Sequence, residues 1–83
     1  MTFSKSFVIN STPVLIVPAL PQYQEVNCHA TAGVFLGESA SVSSTTGYLL
    51  DKDTNFQFTL EPNQAYYAVA LVTSTLYILA TEL

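Results

Sequence analysis

Arginine and tryptophan are absent, and Lys5 and Lys52 are the only basic side chains in 83 residues. Against six acidic residues they leave a net charge of -4. Nucleic-acid binding takes its affinity from lysine and arginine neutralising phosphates, so this composition argues against that whole class of function. Charged residues make up 10% of the chain, where a quarter is usual. The hydrophobic share of 49% is ordinary. Disorder needs the opposite balance, low hydrophobicity with high net charge, so the chain is expected to fold. Cysteine is nearly missing as well. Cys28 stands alone, which excludes an intramolecular disulfide and a zinc site built from thiolates. Between Asn27 and His29 it reads as a small core hydrophobe. The three glycines, Gly33, Gly37 and Gly47, are too dispersed for a phosphate-cradling loop.

Uninterrupted hydrophobic runs are scarce too. The apolar stretch 7–20 is broken by Asn10, Ser11, Thr12, Pro13 and Pro18, a poor match to the core of a secretory signal. Residues 64–81 carry no charge and are long enough to raise the question of a membrane span. Gln64, Thr73, Ser74, Thr75 and Thr81 interrupt that stretch and no lysine or arginine flanks it, so no membrane association is expected.

What is present reads as strands. Pro13, Pro18 and Pro21 prevent a helix in the first quarter and hold it extended. Residues 1–21 are expected to form an N-terminal arm and edge strand, followed by one β domain over 22–83. Within the first part Val14, Leu15, Ile16 and Val17 do not alternate and need cover on both faces. Further short runs at 24–28, 33–36, 40–43 and 48–50 are separated by turn residues. Phe56, Phe58 and Leu60 alternate with Gln57 and Thr59, the cleanest period-two signal in the chain. The stretch 64–83 has helical spacing at Ala65, Val69, Val72, Leu76, Leu79 and Leu83. Its β-branched and aromatic content, and the lack of any charged face, favour two strands instead, 65–71 and 76–81, joined as a hairpin around Thr73 and Ser74. In such a hairpin Tyr67, Val69 and Leu71 share one face, and Tyr66, Ala68 and Ala70 the other. Both faces are apolar, so this hairpin is expected at the centre of the domain or against another subunit. The fold class is all-β: a small sandwich or barrel of about seven short strands with an extended N-terminal arm. A single domain this small buries only about 60% of the surface that its unfolded chain exposes.

Reactive groups are thin. His29 is the only histidine, and on a strand it diverges from its neighbour Cys28, which disfavours a Cys–His dyad. Asp51, Asp53 and Asn55 begin like a calcium loop, but Phe56 and Pro62 stand where that motif needs glycine and a bidentate glutamate. The cluster therefore reads as a turn. No catalytic residue, metal site or cofactor is expected. Five tyrosines, with large apolar bodies and polar tips, suit an interaction surface, with Tyr66 and Tyr67 the interface candidates. Eighteen serines and threonines supply polar outer faces in place of charge. Neutral faces do little to prevent edge pairing, so the edges are expected to be covered by a partner.

The runs Gly33-Val34-Phe35-Leu36-Gly37 and Val42-Ser43-Ser44-Thr45-Thr46-Gly47-Tyr48 with Leu50, then Phe56-x-Phe58-x-Leu60, Tyr67-Ala68-Val69-Ala70 and Leu76-Tyr77-Ile78-Leu79, resemble the small virion proteins of tailed bacteriophages. The likeness spans residues 14–83. It implies a β-rich accessory protein on the capsid exterior, made in the host cytoplasm, that decorates or cements the shell. Its partner would be the major capsid protein, and the chain itself a homo-oligomer, with a trimer favoured. In that setting Phe3, Phe7, Val8 and Ile9 of the arm are candidates for clamping a neighbouring sheet edge. The alternative reading is a fibre or tail component, or a carbohydrate-binding β module.

Overall fold

The computed structural model describes residues 2–83, and the side chains from Ser4 onward. Every regular element is a strand: β1 (Thr2–Ile9), β2 (Val14–Val17), β3 (Gln24–Ala30), β4 (Val34–Gly37), β5 (Tyr48–Leu50), β6 (Asn55–Leu60), β7 (Tyr66–Val69) and β8 (Ser74–Glu82). They form two four-stranded antiparallel sheets, ordered β1-β8-β3-β6 (sheet I) and β2-β7-β4-β5 (sheet II). Except between β4 and β5, the chain changes sheet at every connection. An eight-stranded sandwich with this order is a jelly roll. The all-β expectation holds, with eight strands.

Alternation builds the core. On β3, Gln24, Val26, Cys28 and Ala30 are buried, while Glu25, Asn27 and His29 face away. On β8, Leu76, Ile78 and Ala80 point inward, and Tyr77 and Leu79 outward. Strands β4 and β7 close the other side with Val34, Leu36 and Ala68. The run Val14–Val17, which lacks alternation, is resolved by a β-bulge. Leu15 pairs with Tyr67, but the next partner of β7 is Val17, against Tyr66. The extra residue lets Ile16 and Val17 both reach the interior, at 1% and 0% exposure, in place of two-sided cover.

Residues 1–21 supply one edge strand to each sheet. Strand β1 lies along β8 from Thr2↔Thr81 to Ile9↔Ser74, and β2 along β7. The far edge of β1 is open, and Lys5 on it sits with its Nζ 5.3 Å from the centre of the Phe7 ring. A lysine on an edge strand discourages uncontrolled pairing.

Two further sequence expectations are corrected. The hairpin proposed for 65–81 does not form. Strand β7 lies between β2 and β4, and β8 between β1 and β3, in different sheets. Residues 70–73 instead bridge the sandwich; at about 3.3 Å per extended residue, four residues span the roughly 10 Å between packed sheets. Leu71, Val72 and Thr73 include none of the glycine, asparagine or aspartate that tight hairpin turns require. Each strand thus has neighbours on both edges, which accounts for its low charge. The other correction concerns residues 40–43, which form a loop rather than a strand. Ser39, Ser41, Ser43, Thr45 and Thr46 hydrogen-bond among themselves and to nearby backbone, offering the chain an alternative to a ladder. From this loop Val42 packs down on Gly37 and Gly47, where a Cβ on either glycine would lie within 3 Å of its side chain.

Polar clamps tie the loops to the strands. Ser74 Oγ accepts from Ala32 N and donates to Ala32 O, both at 3.0 Å. Thr31 N donates to Thr75 O, and Thr75 N to Thr31 Oγ1, again at 3.0 Å. Buried Gln24 donates from Nε2 to Pro18 O at 3.0 Å, fixing the β2–β3 loop. Where β5 and β6 leave the sandwich open, four rings close it: Tyr48–Phe56 at 5.3 Å, Phe56–Phe58 at 5.3 Å and Phe58–Tyr66 at 4.7 Å between centroids.

Candidate interaction surfaces

The arm residues named from sequence have separate fates. Ile9 is fully buried in the core and Phe7 packs against it. Val8 points to the outside of sheet I and is 65% exposed. The side chain of Phe3 lies outside the described residues. Of the two tyrosines, Tyr66 is part of the aromatic row that closes the sandwich, and half-buried Tyr67 faces the outside of sheet II beside Leu15. No contact brings Tyr66 and Tyr67 to one surface, since successive residues on a strand face opposite ways.

The register defines two outer faces of different character. On sheet II, Leu49 pairs with Phe35, Phe35 with Val69, and Tyr67 with Leu15, so these side chains share the outer face. Its paired strand positions are apolar across all four strands, and Glu38 of the loop after β4 lies beside Tyr67. The 38–47 loop shields its centre through Val42, leaving Leu15 and Leu49 at 43% and 48% exposure on either side. Beyond Val69 the chain continues to Leu71, 75% exposed at the β7–β8 connection.

The outer face of sheet I has no loop over its centre and is mixed. Tyr77 lies between His29 and Ser6, and Leu79 between Asn27 and Ser4, with Asn55, Gln57 and Thr59 on β6 beyond. Glu25 is its one carboxylate among the paired positions. His29 Nδ1 is 3.2 Å from Asn55 Oδ1, and its Nε2 is 3.8 Å from Asp53 in the β5–β6 turn. That turn is held by Asp53 N donating to Ala30 O at 2.8 Å, with Asp53 in the left-handed region at a φ of 58°. Asn55 and Asp53 meet at the His29 ring, but among the described residues no three histidine, cysteine, aspartate or glutamate side chains come together.

Cys28 and His29 take opposite faces of β3. Burial pushes the Cys28 thiol up to about 11 from 9.0, and its Sγ lies 3.5 Å from Phe56 O. A thiol that holds its proton this firmly is a poor nucleophile at neutral pH. No helix among the described residues is long and apolar enough to cross a membrane.

Tyr77 is one of the five tyrosines that the sequence offers for an interaction surface, but it is not one of the two singled out there as interface candidates. The signal was available: in a strand where Leu76, Ile78 and Ala80 form the buried set, the aromatic at 77 must face out.

Comparison with protein-family models and with curated proteins gives no match. Among solved structures, a chain of the Bacillus endospore appendages, described as a novel family of disulfide-linked pili, superposes with a TM-score of 0.63. The alignment covers 100% of this chain and 86% of that one at 9% identity. At that identity the likeness establishes a shared fold.

Proposed function

We propose that this chain is a structural protein of a tailed-phage virion that binds the outer capsid surface and decorates or cements the shell. The observation that carries the reading is the outer face of sheet II. Its strand positions are apolar from Leu49 through Phe35 and Tyr67 to Leu15, with its own loop, which brings Glu38 beside Tyr67, covering the middle. Leu15 and Leu49 stay exposed on either side of that loop, and exposed apolar side chains rimmed by polar ones mark protein–protein contact. With no charged side chain at its paired strand positions, this face lets copies pack closely without strong repulsion. The open edge of β1 adds backbone groups that a neighbouring sheet edge can pair with. The capsid as partner rests on the sequence resemblance, and many weak attachments over a symmetric shell would add up to a durable one.

A second reading, a subunit of a fibre, is favoured by the fold shared with the pilus chain. Any such fibre would hold together without a cystine through Cys28, which is buried. One experiment separates the two. Heads of a phage encoding the chain are prepared from a strain deleted for it, and the purified protein is added and sedimented with them. Co-sedimentation, lost in Leu49→Asp, supports the decoration role. Self-assembled filaments in negative stain, with no head binding, support the fibre. A monomer that does neither refutes both.

A further inference from the structure

We propose that the outer face of sheet I is a binding face for an uncharged oligosaccharide, centred on Tyr77. Tyr77 is 50% exposed in the middle of the longest strand, and a shallow depression beside it is lined by Ser4, Asn27, His29, Asn55 and Leu79. The register sets these groups around the ring. His29 and Ser6 are its direct neighbours on either side, and Asn27 and Ser4 stand two positions along, flanking Leu79. Two positions on a strand are about 7 Å, so one flat surface presents an aromatic ring beside hydrogen-bonding groups at fixed intervals.

The chemistry selects the ligand. A neutral sugar offers apolar C–H faces to an aromatic ring and hydroxyls that both donate and accept. Asparagine amides and serine hydroxyls also do both. Among the described residues Asn27 is exposed and its side chain makes no hydrogen bond, which leaves its amide for a ligand, while Asn55 engages His29 through Oδ1. An anionic glycan is disfavoured, because Glu25 sits on the face and Lys5 points from β1 toward the other side of the strand. A protein partner would fit less well. The cores of protein interfaces are apolar, as the strand positions of the outer face of sheet II are, whereas here Tyr77 and Leu79, with Val8 at the β1 edge, stand among amides, hydroxyls and the His29 ring. The mixture of an apolar platform and a few placed polar groups is the usual make-up of a small-molecule site.

The test is titration of the full chain, labelled with 15N, with neutral oligosaccharides of distinct linkage: maltohexaose, cellohexaose, xylohexaose, mannohexaose and chitohexaose. Saturable shift changes at Asn27, His29, Asn55, Tyr77 and Leu79 with at least one of them are expected. Tyr77→Ala should weaken that binding by at least about tenfold, Tyr77→Phe should keep most of it, and Leu49→Asp on the other sheet should leave it unchanged. Thermal melts of the variants check that Tyr77→Ala is folded, and Asn27→Ala provides a second variant with no core contact. The proposal is overturned if none of the five sugars gives saturable shifts, if the shifts map to sheet II, or if Tyr77→Ala binds as the parent does. It is equally overturned if Tyr77→Ala changes the sedimentation coefficient of the protein alone, since the face would then belong to a protein contact.

Discussion

Truncating Phe58 to alanine removes the ring at the centre of the row that closes the sandwich between β5 and β6. Its neighbours are Phe56 at 5.3 Å and Tyr66 at 4.7 Å, one on its own strand and one from the opposite sheet. Phe58 is half-buried, so its transfer and cavity contribution is about half of the 3–5 kcal/mol seen for full core positions, or ~2 kcal/mol. Two ring contacts at roughly 0.5–1.5 kcal/mol each add ~1–2 kcal/mol, part of which overlaps with the area already counted. The expected loss is ~3 kcal/mol. For a domain of this size that lowers Tm by roughly 12–24 °C. Urea unfolding followed by tyrosine fluorescence measures it, and Phe58→Leu should restore most of the area while still costing ~1 kcal/mol for the lost ring geometry. A double-mutant cycle between Phe58→Leu and Tyr66→Leu isolates the inter-sheet contact. A Phe58→Ala loss below ~1 kcal/mol, or no coupling in the cycle, would show that the row merely lies over an edge already closed by the backbone.

Gly47→Ala should destabilise the fold by ~1–3 kcal/mol in chemical denaturation. Its new Cβ would fall 2.7 Å from Phe35 Cβ and 2.9 Å from the Ser43 carbonyl oxygen, whereas Gly33→Ala, with its nearest contact at 3.6 Å, should be tolerated. Ser74→Ala removes both hydrogen bonds to Ala32 and should cost ~1–3 kcal/mol, with faster amide exchange concentrated at residues 31–33. Because the folded Cys28 thiol keeps its proton up to about 11 while the unfolded one releases it near 9.0, stability should fall as pH rises through that interval. The fall should be shallower in Cys28→Ala, and a thiol reagent at pH 8 should react with the parent only as fast as it opens.

Much of the strand layout is legible along the chain. Phe56-Gln57-Phe58-Thr59-Leu60 alternates because β6 is an edge strand with one face on the core, and Val14–Val17 and Tyr48–Leu50 coincide with strands at their expected bounds. Residues 40–43 read as a strand from sequence because isolated serines and threonines are compatible with either state; their mutual hydrogen bonds, and Val42 seated over two glycines, exist only once the loop has folded back. For the candidate surfaces, the arm list mixed Ile9, fully buried, with Val8, mostly exposed. Period two predicts that adjacent residues part in this way, but not which of them faces the core.

Local pattern thus determined that the chain is all-β, weakly charged and without a helix, since strand propensity, proline placement and period-two burial are properties of short segments. Only the tertiary structure decided that β7 and β8 enter different sheets, and that Tyr77 and Leu79 stand on one open face while Leu15, Phe35 and Leu49 stand on the other. Backbone hydrogen bonds are blind to side-chain identity, so an apolar strand can pair with several others equally well. The choice among partners is made by how eight strands together close one core, and the surfaces left over follow from that choice.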